Sequence, residues 1–257
     1  GWDVGTPADL WVPASQKMRP QHGFQAEIGV EKNFSRRFSA SLVGFYNRTK
    51  GLQEWKSSVL VLGDRDALLG NDLEGKTSRG QARSRGIEAL VSGSTEGFSG
   101  WASYVLSSSR RQFDSLNLGR SFPFRYDRRH QFSAVFAQKL NHFVDFTVAW
   151  SFATGDAITN DTSETVAGQP SFLDLNIAYK IQVESLNNQR LPNYHRLDVG
   201  VNIELPGRNK RQNRLSFGVY NVLSNVNARY AYRQQNGKRK ILPGLPPVPY
   251  LNFSTKF

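Results

Sequence analysis

Asp127, Arg128, Arg129 and His130 place a carboxylate, two guanidiniums and an imidazole in one run of sequence. A carboxylate beside an imidazole can move protons or ligate a metal ion. Spacing completes neither chemistry. The other histidines, His22, His142 and His195, begin or precede other strands, and no second one stands at ligand spacing. The run therefore reads as a loop-to-strand junction whose charges pair at a rim. Asp156, Asn160, Asp161 and Glu164 carry the oxygens that calcium takes, but without the spacing of a calcium loop. They read as solvated loop residues. No nucleophile, base and orienting group occur in a recognisable arrangement, so we assign no catalytic residue, no metal ligand and no cofactor, and expect no enzyme.

The elements that carry these residues are written in period two. Leu197, Val199, Val201 and Ile203 alternate with Asp198, Gly200, Asn202 and Glu204, and Val144, Phe146, Val148 and Trp150 alternate with Asp145, Thr147, Ala149 and Ser151. Such a strand has one apolar and one wet face, as the wall of a membrane barrel requires. The pattern predicts about nine strands, near 24–32, 38–49, 84–93, 98–108, 130–139, 143–152, 195–205, 214–223 with an extension towards 233, and 249–257. Apolar faces follow from it: Phe24 to Val30, Ala40 to Tyr46, Ile87 to Val91, Gly100 to Leu106, Phe132 to Phe136 and Leu215 to Val219, each in alternate positions. The opposite positions include Glu27, Glu88, Gln131, Asp145, Asp198, Asn202, Tyr220 and Asn252, which are expected to line a wet lumen or meet a plug. A polar network joining plug to wall is the favoured role for them.

Connections fall into a short set, near 33–37, 94–97, 140–142 and 206–213, and a long set, near 50–83, 109–129, 153–194 and 234–248. In outer-membrane barrels the short turns are periplasmic and the long loops extracellular, which places the carboxy terminus in the periplasm. The long loops are the better expectation for solute capture, because binding residues concentrate on loops held by a rigid scaffold. An odd number of antiparallel strands cannot close on itself without a parallel seam, so the chain is expected to supply part of a wall.

Composition sets outer limits. In 257 residues there are 33 Lys and Arg against 21 Asp and Glu, giving a net charge of +12, with a pI near 10.1. The basic residues scatter over turns and loops instead of tracking one helix or aromatic platform, which argues against nucleic acid. Mean hydropathy is −0.49. A low mean does not exclude a barrel, whose apolar residues occupy every second position. No run approaches the roughly 18 apolar residues of a spanning helix. Aromatic residues make up 12% of the chain, which suits strands crossing two interfaces. The absence of cysteine removes disulfide and thiolate chemistry. The opening Gly1-Trp2-Asp3 shows no leader pattern, which fits a removed leader or a piece of a longer chain.

Several short motifs then occur in order: Leu10-Trp11-Val12-Pro13, Arg19-Pro20-Gln21, Phe45-Tyr46-Asn47-Arg48-Thr49, Arg85-Gly86-Ile87-Glu88 and Gly100-Trp101-Ala102-Ser103-Tyr104-Val105-Leu106-Ser107. They are followed by Phe122-Pro123, Tyr126-Asp127-Arg128-Arg129-His130, Leu191-Pro192-Asn193-Tyr194-His195-Arg196-Leu197-Asp198 and Tyr220-Asn221-Val222. The ordered set resembles the C-terminal part of a TonB-dependent outer-membrane receptor of Bacteroidetes type, similar to receptors that carry a carboxypeptidase-regulatory-like domain. The resemblance implies an all-β, antiparallel transmembrane barrel of 22 strands filled by an N-terminal plug, of which residues 1–257 would be the last nine strands. It implies import of a scarce solute, such as a metal chelate, vitamin, glycan or peptide. The implied partners are outer-membrane lipid and lipopolysaccharide, the plug and remaining strands, TonB acting through that plug, the barrel-assembly machinery and a surface lipoprotein. The rival expectation is a structural or interaction subunit of an envelope complex that uses the same barrel without active transport. The ending Leu251-Asn252-Phe253-Ser254-Thr255-Lys256-Phe257 resembles the β-signal that assembly machinery reads by strand pairing, with Leu251, Phe253 and Phe257 as its apolar positions. An ordinary edge strand is the alternative.

Overall fold

The computed structural model describes residues 19–56, 77–159, 162–163, 181–182, 186–206, 212–233 and 239–256. Nine strands form one antiparallel sheet in sequence order: β1 His22–Asn33, β2 Phe38–Trp55, β3 Thr77–Ser94, β4 Phe98–Phe113, β5 His130–Lys139, β6 Val144–Ala153, β7 Tyr194–Pro206, β8 Gln212–Tyr220 and β9 Val248–Lys256. Each pairs only with its chain neighbours, apart from the two-residue segment Phe122–Pro123 that joins β4. Among the described residues β1 and β9 each keep one edge without a partner strand.

The register carries the period-two pattern across the whole sheet. Val30 faces Leu42, Leu42 faces Ala89, Ala89 faces Tyr104 and Tyr104 faces Phe132. Further along, Phe146 faces Val201, Val201 faces Phe217 and Phe217 faces Leu251. Apolar residues meet apolar residues at each of these steps, so the middle of one side of the sheet forms an apolar band. A slip of one residue in any strand would turn its whole apolar set to the other side. The exposed apolar side chains include Ile28, Ile87, Phe217, Leu251 and Phe253.

Aromatic rings mark both ends of this apolar band. Near the short turns Phe98 packs on Phe136 with ring centroids 4.9 Å apart. Towards the long connections Phe132 lies 4.6 Å from Trp150, whose ring approaches His195 at 5.9 Å, and Tyr104 bonds His130 at 2.7 Å. Trp150 and Tyr104, rings with an apolar body and a polar edge, belong where hydrocarbon gives way to water.

Turn chemistry explains the short connections. Asn141 Oδ1 accepts from the N–H groups of Phe143 and Val144, at 2.8 and 3.0 Å, and so folds the β5–β6 link. Thr95 N donates to the Phe98 carbonyl at 2.6 Å to close the β3–β4 link. The opposite ends differ from expectation. β2, β3 and β4 continue to Trp55, back to Thr77 and on to Phe113, so parts of the expected long connections near 50–83 and 109–129 extend the sheet. Gly51, at φ 78°, takes the bulge between Lys50 and Leu52 that keeps β2 and β3 paired. β8 is shorter than expected. It stops at Tyr220 because Asn221 turns into the left-handed region at φ 53°, and Tyr230–Arg233 instead forms a separate hairpin with Arg239–Leu242.

Glycines on the polar side make room for an aromatic ring. A Cβ at Gly200 would stand 2.4 Å from Tyr250 Oη, and one at Gly218 would stand 2.5 Å from it and 2.3 Å from the Val199 carbonyl. Tyr250 thus lies across two neighbouring strands and covers the bare backbone. Gly218→Ala is expected to destabilise the sheet by about 1–3 kcal/mol through overpacking. Gly23, whose Cβ would meet nothing within 4 Å, is the control and should tolerate alanine within about 0.5 kcal/mol. Thermal denaturation in detergent compares the two.

Candidate functional site: the polar face and its loop cap

Every residue expected to face a lumen lies on the polar side of the sheet. Asp145, Asn202, Ser216 and Asn252 follow one another in one cross-strand row, and Glu88, Val105 and Gln131 follow in another. Asp145 accepts from Asn202 Nδ2 at 2.6 Å and from Arg214 at 2.7 Å. The side is not wholly wet: Val43, Phe45, Trp101 and Val135 share it. The structure brings Asp198, Tyr220 and Tyr250 together around a cavity of about 370 Å³. Glu27 stands apart from that group, on β1, where Gln25 donates to it at 2.5 Å.

Asp198 anchors the top of β7. It accepts from Asn221 N at 2.9 Å and pairs with Arg196 Nε at 3.1 Å, while Arg196 also donates to Tyr220 Oη at 3.2 Å. Asn221 is completely buried and donates to the carbonyls of Asn225 and Leu245, both at 3.0 Å. Asn227 then accepts from His195 N at 2.7 Å. These asparagines supply the backbone pairing that the chain gives up where β8 ends. Sequence reasoning named Asp198 and Tyr220 but missed this knot; the run Asn221, Asn225, Asn227 was its available signal.

The junction run forms a latch. Asp127, only 2% exposed, accepts from Ser109 N at 2.6 Å and pairs with Arg190, which also donates to the Asp127 and Gly155 carbonyls. Arg128 grips Asp156 through two bonds, at 2.6 and 3.0 Å. Donating to the Asp156 carboxylate holds the Arg128 guanidinium above its ordinary pKa. His130 takes no part in this, because it lies on the apolar side against Tyr104. Asp156 of the oxygen-rich set is therefore engaged with Arg128, whereas Asn160, Asp161 and Glu164 lie outside the described residues. Among the described residues no cluster of His, Asp and Glu has the form of a metal site.

Above the latch Phe113, Leu116 and Phe122 form a small buried cluster, joined by Leu52 and Leu186. Asn187 Nδ2 reaches the Pro123 carbonyl at 2.8 Å, and Leu186 N reaches Asn117 Oδ1 at 3.2 Å. Two long connections are thus tied to each other and to the ends of β2 and β4. At the opposite strand end Leu251 and Phe253 lie on the apolar side of β9, facing Phe217 and Leu215. Phe257, the third residue of the expected signal, lies outside the described residues.

Removing Arg190 leaves the Asp127 carboxylate buried without its partner. Arg190→Ala is expected to weaken the loop cap by about 2–3 kcal/mol, below the full range for a buried pair because Arg190 is itself 36% exposed. Limited proteolysis should then cut within 114–129 while the sheet stays intact. Asp127→Asn with Arg190→Gln should be milder than Arg190→Ala alone.

Comparison with known proteins adds to this geometry. Residues 4–222 match the family model described as TonB dependent receptor-like, beta-barrel. No curated protein matches. Among solved structures the chain is similar to the ferripyoverdine receptor of the Pseudomonas aeruginosa outer membrane, at 17% identity over 93% of this chain and 27% of that one, with a TM-score of 0.56. It is likewise similar to the ferric-catecholate import receptor Fiu of E. coli K12, at 16% identity over 94% and 28%, with a TM-score of 0.58. The FrpB iron transporter of Neisseria meningitidis matches at 17% identity over 93% and 32%, with a TM-score of 0.56. The chain spans about a third or less of the length of these neighbours, and at such identities the likeness shows the fold. A family model covering most of the chain, together with this sheet, establishes that the protein belongs to the TonB-dependent receptor-like β-barrel family.

Proposed function

We propose that residues 1–257 are the C-terminal wall of a TonB-dependent outer-membrane transporter, nine strands of a 22-stranded barrel. The apolar side faces lipid, and the polar side faces the lumen and the plug. The single observation that carries this reading is the register: nine strands in succession keep apolar residues on one side and Asp145, Asp198, Asn202 and Asn252 on the other. The placement of short turns at one end and long, latched connections at the other supports an extracellular loop cap and a periplasmic carboxy terminus.

The solute is proposed to be an iron chelate. The titles of the neighbouring structures name ferripyoverdine, ferric catecholate and iron transport, and those solutes are the first class to test. Capture would fall to the loop cap held by Asp127, Arg190, Phe113 and Phe122, with the polar side of the wall in contact with the plug. Energy from the inner membrane would enter through TonB acting on that plug. Leu251, Phe253 and Phe257 would serve the assembly machinery; among the described residues β9 keeps one edge without a partner strand, and Leu251 and Phe253 on one of its sides would set the register.

Two measurements test the reading. Arg at Val201 should lower the yield of membrane-assembled protein, at a cost of about 2–4 kcal/mol at mid-bilayer depth, while Arg at Asn202 should be milder. Equal tolerance at both positions would reject the lipid-facing assignment. Deleting the gene should abolish uptake of one ferric chelate by iron-starved cells; unchanged uptake of every chelate tried would reject the solute class.

A further inference from the structure

The connection that leads from the Tyr230–Arg233 and Arg239–Leu242 hairpin into β9 is rich in proline. Residues 240–247 read Lys240-Ile241-Leu242-Pro243-Gly244-Leu245-Pro246-Pro247, so the pairs Leu242-Pro243 and Leu245-Pro246 stand three residues apart and Lys240 stands three residues before Pro243. Proline fixes its own φ and drives the residue before it away from helix, so Leu242, Leu245 and Pro246 are each held extended by the residue that follows. No residue between Leu242 and Val248 has a positive φ, and 243–247 form neither strand nor turn. Such a chain is of polyproline type, with little conformational entropy left to lose on binding.

The rest of the loop holds this segment by one edge. Gly244 N donates to the carbonyls of Val226 and Asn227, at 2.9 and 3.1 Å, and the Leu245 carbonyl accepts from buried Asn221 at 3.0 Å. A Cβ at Gly244 would stand 2.9 Å from the Asn227 carbonyl oxygen, so glycine lets the backbone lie against the asparagine knot. A polyproline helix has three residues per turn, which puts Gly244 on a different edge from both Leu-Pro pairs. The pairs are left uncovered: Leu242 is 52% exposed and Leu245 58%, and Pro243 and Pro246 are exposed with them. Lys240 is exposed at the start of the segment, and so is Arg229, whose N–H bonds the Leu242 carbonyl at 3.0 Å. No Asp or Glu follows Glu204 in the sequence, so nothing in this connection offsets those charges.

We propose that residues 240–247 are a docking segment for a protein domain that reads proline-rich chains, through an aromatic-lined groove bearing carboxylates at one end. Domains of that class take prolines three residues apart into neighbouring aromatic slots, and gain from a ligand that is extended before it binds. Leu242-Pro243 and Leu245-Pro246 would fill two slots, while Gly244 between them rests on its own protein and needs no place in the groove. The carboxylates of the partner would meet Lys240 and Arg229. A polyanion would use the cations and leave the Leu-Pro repeat idle. Prolines that served only to end the hairpin would need neither the repeat nor two exposed leucines. In the orientation proposed above the segment lies outside the cell, and docking there is independent of the solute carried.

The test uses the full receptor made in its native membrane and extracted in detergent. The probe is an SH3 domain whose groove carries acidic residues at one end, and binding is read by interferometry. Pro243→Ala with Pro246→Ala should weaken binding at least about tenfold and Lys240→Glu at least about fivefold, whereas Pro247→Ala should stay within about twofold. The same probe with its groove tryptophan replaced by alanine should not bind the unaltered receptor. Failure of the intact probe to bind, equal binding by the paired proline variant, or undiminished binding of the altered probe would each overturn the proposal. Binding that depends on Lys240 and not on the prolines would assign the surface to a polyanion and overturn it as well. If the paired proline variant fails to assemble, Leu245→Ala, expected to weaken binding at least about fivefold, decides the matter together with the altered probe.

Discussion

Strand register is the constraint on which the rest of this structure depends. Backbone N–H and C=O groups that cross a bilayer must be paired within the protein, and a sheet does this only along a continuous ladder. The same ladder fixes which side chains share a side. In this chain nine strands agree with one another over the full width of the sheet, from Val30 on β1 to Leu251 on β9. Because one slipped residue reverses a strand, each strand's alternation must fit two neighbours at once. The short, hydrogen-bonded turns at Thr95 and Asn141 set that fit at one end. The bulge at Gly51 preserves it where β2 runs on above the band.

The ends of the strands then solve a second problem. A ladder that stops leaves donors and acceptors without partners, and the protein supplies side chains in their place. Asn221, Asn225 and Asn227 do so at the top of β7 and β8, and Asp127 does so for Ser109 at the top of β4. These groups also tie long connections to the wall. Arg190 and Arg128 reach across to Asp127 and Asp156, and the Phe113, Leu116 and Phe122 cluster excludes water above them. Connections tied to a paired wall in this way hold their loop residues in a fixed geometry.

The sides of the strands were legible in the sequence because period two is a direct record of register. Asp145, Asn202 and Asn252 were placed together by alternation alone, and the structure puts them in one row. Strand ends were less legible. Residues 50–55, 77–83 and 109–113 lie beyond the apolar band, where Lys50, Arg83 and Arg110 replace apolar residues and erase the alternation that marks a strand. The extension of β8 failed for the opposite reason: Val222 and the tyrosines near 230 continue to look strand-like, but Asn221 adopts a left-handed turn that periodicity does not register. The pairing of Asp127 with Arg190 joins residues 63 positions apart, and composition gave only the expectation that the junction charges would find partners. The row of Arg48, Arg83 and Arg110 emerges only when register aligns three strands, since in sequence its members look like scattered basic residues.

In the proposed assembled protein one side of this sheet faces lipid and the other faces water. The chain contains no cysteine, so single cysteines can be placed in turn at each position from Leu197 to Glu204 on β7 without background from this segment. Labelling by a membrane-impermeant maleimide, with both sides of the outer membrane opened to the reagent, reads the environment of each position. A lipid-facing apolar side gives a period of two, with Asp198, Gly200, Asn202 and Glu204 labelled and Leu197, Val199, Val201 and Ile203 protected. Uniform labelling along the strand, or the reverse alternation, would contradict it.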